Sequence, residues 1–474
     1  MKNTSLYIFI FLVAITGCKK FVEIDPPQDR LVTEKVFSED ATAISAMGGL
    51  YTSMMSEPLP YNLALYCGLY SDELDYKVTN VAGLAVYKNA LNAKDALTNV
   101  IWEKGYNIIY QANGIIEGLG KSEKVTSQVK KQLLGEALFI RAFWYFYLCN
   151  LYGDIPLVLT TDYTINGASV RIAVADVYRQ IIADLIKSEE LLSPKYVSGN
   201  AITETVDRVR PNLFVASALL ARVYLYTGQW GLAEERVSAI VNSSSIYSLE
   251  KIDDVFKKAT KEAIWQLQMP TGNSGAALRE NTYEQKFILT SIPTAGNSGS
   301  DISNSLLKVF SGNDLRKLNW IKSITVGTGT YYFPFKYKSR VVSTTIEEVS
   351  IVFRLAEMFI IRAEARAQQG KISEAIEDID RIRSRAGIDL LKDINPGISK
   401  VAMIDTISVE RRRELFCEWG HRWFDIKRTK VVDVIMKQIE SIKGTVWSSK
   451  WTVWPLPLND IINNNKLTQN EGYN

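Results

Sequence analysis

Apolar side chains recur at helical spacing through most of the chain. In residues 98–120, Ile101, Trp102, Ile109, Ala112, Ile116 and Leu119 fall on one face of a helix. The next stretch, QVKKQLLGEALFIRAFWYFYLCNLYGDIPL, reads as a second long helix, and its Gly-Asp-Ile-Pro sequence is a stop signal. In SALLARVYLYTGQWGLAEERVSAIV, Leu220, Ala221 and Tyr224 line one helix. A Thr-Gly-Gln turn follows, and Ala233, Val237 and Ile240 line the next. The pattern returns in EMFIIRAEARAQQGKISEAIEDIDRIRSRAG, where Ala363 and Ala375 repeat the twelve-residue spacing of Ala221 and Ala233. Between these pairs, residues 59–95, 192–210, 268–304 and 321–348 are rich in Gly, Asn, Ser and Thr and read as long loops. Within the last of them, TYYFPFKYKS is compatible with a short strand pair.

Residues 409–428, VERRRELFCEWGHRWFDIKR, pose a sharper question, because six basic groups, two tryptophans and the only histidine crowd together. On one continuous helix, Leu415, Phe416, Trp419, Trp423 and Ile426 share a face. Four acids interleave with the bases, so the segment lacks the one-sign stripe that would hold nucleic acid. The spacing predicts a packed helix with ion pairs along its rim: Glu418 with Arg422, His421 with Asp425, Glu410 with Arg413, and Arg411 with Glu414. The paired small residues of the earlier helices resemble the tetratricopeptide helix-turn-helix, although the irregular repeat spacing is not that of a tandem solenoid.

Composition narrows the function. Lys+Arg 55 against Asp+Glu 52 leaves a formal charge of +3, so no bulk field drives the chain toward nucleic acid or an anionic membrane. A single histidine and four scattered cysteines supply neither a zinc site nor a histidine-based catalytic relay, and no cofactor is expected. Cys67, Cys149 and Cys417 read as small buried hydrophobes. At the start, Lys2 precedes an uncharged run from Ser5 to Gly17, shorter than the ~20 residues of a membrane span. This has the form of a signal peptide over residues 1–17. Ile15-Thr16-Gly17-Cys18 resembles a bacterial lipobox, which makes Cys18 the expected lipid anchor.

Ten stretches in order resemble the SusD/RagB family of outer-membrane lipoproteins. Among them are CKKFVEIDPP, LYSDEL, GEALFIRAFWYFYLCNLYGDIPL, FRLAEMFIIRAEARAQQG, ERRRELFCEWGHRWFDIKR and the C-terminal QNEGYN. The resemblance implies an all-α fold in which tetratricopeptide-like helix pairs form a right-handed superhelical scaffold carrying long ligand-binding loops and a few short strands. It implies one domain over 18–474, with an N-terminal SusD-like part to about residue 230 and a C-terminal SusD/RagB part from about residue 260. It further implies a surface protein, anchored in the outer membrane by lipid, that captures oligosaccharides and passes them to a SusC-like TonB-dependent transporter. RagB-type peptide capture is the alternative, and a surface glycoside hydrolase the remote one.

The resemblance places the ligand site in DYKVTNVAGLAVYKNALN and TGNSGAALRENTYEQ, and the candidates there are Tyr76, Tyr87, Asn89, Arg279, Asn281 and Tyr283. Aromatic faces stack on sugar rings, while amides and guanidinium groups hydrogen-bond the hydroxyls. Asp72, Glu73 and Asp75 raise the question of calcium binding or paired-carboxylate catalysis, but the resemblance makes this segment a structural landmark, with no catalytic residue and no metal expected.

Overall fold

The computed structural model describes residues 33–56, 58–269, 282–340 and 345–473. Its spine is a helix at Ser127–Tyr152, whose residues from Gly135 to Cys149 are buried on every face. A helix apolar all round needs neighbours on all sides. They are α4 (Ala96–Lys121), packed against the spine, α5, on one flank, and α6 (Val174–Leu191) on another. Before them come α1 (Asp40–Met55), α2 (Leu59–Tyr70) and α3 (Val81–Tyr87). The spine ends where its sequence says it should, with Gly153 at φ +76 donating its amide to Cys149 O. In α4 the buried positions include Ile101, Trp102, Ile109, Ala112 and Leu119, but Ile115 rather than Ile116 is the more deeply buried of that neighbouring pair.

The two repeated helix pairs form as their spacing predicts. They are α7 (Leu213–Tyr226) with α8 (Trp230–Asn242), and α9 (Leu355–Gln368) with α10 (Ile372–Arg385). Ala221, Ala233, Ala363 and Ala375 are fully buried, so small side chains sit inside the pairs and let the helices approach. Across the pairs, Arg222 grips Glu357 through two 2.7 Å hydrogen bonds. The fold is predominantly helical, with tetratricopeptide-like pairs. The strands are short and antiparallel: β1 (Leu74–Tyr76) with β5 (Ser300–Ile302), β2 (Ile155–Pro156) with β3 (Arg171–Ile172), β4 (Ala263–Leu267) with β8 (Ser350–Arg354), and β6 (Ile321–Val326) with β7 (Gly329–Pro334). The β6–β7 hairpin is the strand pair expected around TYYFPFKYKS. By contrast, the stretch at 59–95 is no loop. It folds into α2, β1 and α3, and every residue of α2 is buried.

Residues 409–428 correct the sequence reading twice. The helix is not continuous: α11 (Lys400–Leu415) stops, and α12 (His421–Arg428) begins after a break in which Cys417, Trp419 and Gly420 take φ of +53, +46 and +75. The apolar face survives because the break turns the rings inward. Trp419 packs edge-on to Phe143 at 5.7 Å, and its indole donates to Ile351 O at 2.7 Å. Nor do the charges lie on a rim. Of the four expected pairs only Arg413 with Glu410 forms. Buried Glu414 instead accepts from Arg354, Arg385 and Arg316, and Glu418 accepts from Arg354 and Lys336. Arg422 reaches Asp72, while Asp425 accepts from Arg411 and Arg428. Three guanidinium groups around Glu414 outweigh its burial and hold its carboxyl well below the ordinary range. His421 is 5% exposed, and burial, with Arg222 and Arg411 nearby, keeps its ring neutral. Cys67, Cys149 and Cys417 are free and buried, as their neighbours suggested.

Candidate functional site

The site is built on the β1–β5 pair. Its register sets Leu74 against Ile302, Asp75 against Asp301 and Tyr76 against Ser300. Two of the expected loop regions, more than two hundred residues apart, are thereby hydrogen-bonded together. Tyr76 is half-buried and lies over Gly299, where an added Cβ would come within 2.7 Å of its ring; the backbone there is at φ +64. Glycine permits both the turn and the approach. Tyr283 opens a 3-10 turn at Tyr283–Phe287, is half-buried, and donates its hydroxyl to Met55 O at 3.1 Å. Between these segments stands Tyr61, tilted on Phe287 at 4.9 Å. The exposed Lys286 ammonium lies over both the Tyr61 and Tyr283 rings, at 5.8 and 5.4 Å.

Burial raises the Tyr61 phenol far above its ordinary value, with the neighbouring Tyr66 and Tyr76 phenols adding to the shift. Burial likewise takes Tyr66 up to about 12. These phenols therefore stay protonated and able to donate at any physiological pH. The surface they back is aromatic, cationic at Lys286, and edged by the carboxylates of the strand pair. Asp75 and Asp301 sit opposite each other with Lys77 bridging at 3.5 and 3.3 Å. Burial, and then the charge of Asp75, pushes the Asp301 carboxyl up to about 6 against the pull of Lys77.

The other candidates are placed differently. Tyr87 and Asn89 do not face solvent, because α3 turns them inward. Tyr87 is 7% exposed and donates to Asp75 Oδ1 at 3.3 Å, while Asn89 is fully buried and donates to Tyr70 O at 2.8 Å. Tyr87 is tied down further by Lys443, whose buried ammonium donates to the carbonyls of Leu69 and Tyr87 and lies 4.6 Å from the Tyr87 ring centroid. Burial pushes that ammonium down to about 7. Arg279 and Asn281 lie outside the described residues, as does Cys18. Asp72 is paired with Arg422 at 2.8 and 3.0 Å and with Arg412 at 2.9 Å. Glu73 is buried, with one oxygen accepting from Cys417 N at 3.2 Å. Among the described residues, no group of three or more His, Cys, Asp or Glu is placed to hold a metal ion.

Sequence reasoning missed Tyr61, Tyr66 and Lys286. A pocket of about 490 Å³ runs from Tyr51 and Met55, the acceptor of the Tyr283 hydroxyl, to Arg210, Gln266 and Met269. It shares Asp207 and Lys258 with a cleft of about 1120 Å³ walled by Tyr196, Arg208 and Glu347. Volumes of this order suit a small-molecule or oligomeric ligand. The tyrosines at 61, 66 and 70 were a usable signal, passed over because the stretch 59–95 read as a long loop rich in Gly, Asn, Ser and Thr.

Residues 315–473 match the SusD family, and residues 21–225 match a family described as starch-binding associating with outer membrane. A SusD-like protein P2 of Formosa agariphila is 24% identical over the full length of both chains. The starch-binding protein SusD of Bacteroides thetaiotaomicron is 32% identical over 126 residues, which is 26% of this chain and 21% of that one. A SusD superfamily protein from Bacteroides vulgatus superposes with a TM-score of 0.78 at 19% identity, covering 92% of this chain and 99% of the other. Surface glycan-binding protein A from Bacteroides fluxus gives 0.73 at 21% identity, covering 91% and 99%. At such identities the superpositions establish the fold.

Proposed function

The chain belongs to the SusD/RagB family, and from that premise we propose that it is a glycan-binding protein of the cell surface. The observation that carries the reading is the β1–β5 pairing, which joins the Tyr76 segment to the one that leads back to Tyr283 and Lys286. A sugar ring needs an apolar face to cover its C–H side and donors and acceptors for its hydroxyls. The tyrosine surface offers the first through Tyr76 and Tyr283, and Lys286, Asp75 and neutral phenols offer the second. The family description, starch-binding associating with outer membrane, supports the same ligand class and location.

In this reading the protein captures and does not cleave. Asp75 and Asp301 are bridged by Lys77, and Asp75 also accepts from the Tyr87 hydroxyl, so the pair is engaged within the strand pair. The captured oligosaccharide passes to a SusC-like TonB-dependent transporter, with the body held at the outer membrane through lipid on Cys18. No helix among the described residues is long and apolar enough to cross a membrane. A glycan array probed with purified protein tests the ligand class, and binding to no carbohydrate would end the reading. Cys18→Ala tests the anchor: the variant should leave the membrane fraction, and a variant still pelleting after partner proteins are washed away would contradict it. Co-purification of a large barrel protein with the wild-type chain tests the partner.

A further inference from the structure

A second groove lies away from the tyrosine surface, between α4, residues 156–169 and the helix at Leu458–Asn463, with a volume of about 450 Å³. Its floor is the half-buried Tyr106 ring, against which the buried Trp102 ring packs, tilted at 54° with centroids 4.7 Å apart. Both are fixed from behind: Trp102 meets Tyr152 edge-on at 4.9 Å, and the Tyr106 hydroxyl donates to Pro156 O at 2.8 Å. Around this floor stand side chains with hydrogen-bonding capacity to spare. Asn463 is exposed and makes no side-chain hydrogen bond among the described residues. Asn107 accepts from Gln111 at 2.6 Å through its oxygen, which leaves its amide hydrogens for another acceptor. Asp460 is half-buried beside the Trp102 indole. Tyr163 is 82% exposed and stands one turn before Asn166 on the groove's edge.

A half-buried Tyr106 ring backed by buried Trp102, with a carboxylate and unspent amides around a hollow of this size, is what a sugar residue requires, since each hydroxyl both donates and accepts. A protein or peptide partner would favour a broader apolar surface with fewer unpaired amides. We propose that this groove is an additional carbohydrate subsite taking one or two neutral sugar residues. It is separate from the tyrosine surface and independent of it. Two such sites on one chain would raise the apparent affinity for a long glycan without tightening either contact.

Hydrogen exchange of the full-length mature protein, with and without maltose, cellobiose or xylobiose at millimolar concentration, tests this. Protection of segments 101–108 and 458–466 by at least one disaccharide is expected. The Asp460→Asn/Asn463→Ala double variant should weaken the groove's apparent affinity by about tenfold, the loss of a pair of good hydrogen bonds. Tyr76→Ala should leave the groove's protection intact, which separates this proposal from the tyrosine reading. Thermal melts confirm that the double variant is folded; both substituted residues lie on a surface helix. No protection of the two segments by any of the three sugars would overturn the proposal. So would protection that persists unchanged in the folded double variant, or protection produced by a peptide digest and by none of the sugars.

Discussion

Arg222 and Glu357, 135 residues apart, form a two-point ion pair at 2.7 Å with both side chains 1% exposed. The pair sits between the two repeated helix hairpins, and the Arg222 guanidinium also lies 4.4 Å from the Phe353 ring centroid. Removing one partner strands a buried charge, which typically costs about 3–5 kcal/mol. Arg222→Ala should lose that much in urea denaturation. Arg222→Met combined with Glu357→Leu should recover most of it, because an apolar pair of similar volume avoids the desolvation. A single variant that loses under about 1 kcal/mol would mean the hairpins are held elsewhere.

The break between α11 and α12 makes a second prediction. Trp419 is 4% exposed, packed on Phe143 and Tyr147, and bonded to Ile351 O. Trp419→Ala should cost about 3–5 kcal/mol. Gly420→Ala should also be costly, about 1–3 kcal/mol, since its φ is +75 and the new Cβ would sit 2.8 Å from Cys67 Sγ. Thermal melts of the two variants check this. A Gly420→Ala protein that melts with the wild type would show that the residues here do not hold the left-handed turn described above.

Glu73 predicts the pH dependence. Burial outweighs Arg412 and the Cys417 amide and pushes its carboxyl up from 4.5 to about 7, while one of its oxygens has no hydrogen-bond partner. The folded protein therefore binds this proton more tightly than the unfolded chain. Glu73 destabilises the fold fully above about pH 7, and its cost fades as the pH falls toward about 4.5. Glu73→Gln should stabilise the protein by about 1–3 kcal/mol near pH 8 and flatten this part of the stability profile. Equal stability of the two proteins at all pH values would show that the carboxylate is not paying a burial cost.

The helix pairs were legible in the sequence because their signal is local. Ala221 with Ala233 and Ala363 with Ala375 carry both the period and the small-residue seam, and each pair closes within a few turns. The charges of 409–428 misled because local spacing proposes partners only within the segment. Glu414 and Glu418 are instead claimed by Arg316, Lys336, Arg354 and Arg385, residues far away in the sequence. The candidate site was half legible for the same reason. Tyr76 and Tyr283 stand out as aromatics in polar stretches, but nothing in DYKVTNVAGLAVYKNALN reveals that α3 forms and turns Tyr87 and Asn89 inward. The pairing of β1 with β5, which creates the surface, is a contact across more than two hundred residues.

The central claim is that the tyrosine surface on the β1–β5 pair captures carbohydrate. Its most direct test is titration calorimetry of the best glycan from the array against the wild type, Tyr76→Ala and Tyr283→Ala. An aromatic contact contributes about 1–1.5 kcal/mol, so each substitution should weaken binding by roughly tenfold, with the helical circular dichroism unchanged. If both variants stay folded and bind the glycan as tightly as the wild type, the site lies elsewhere and the claim is wrong.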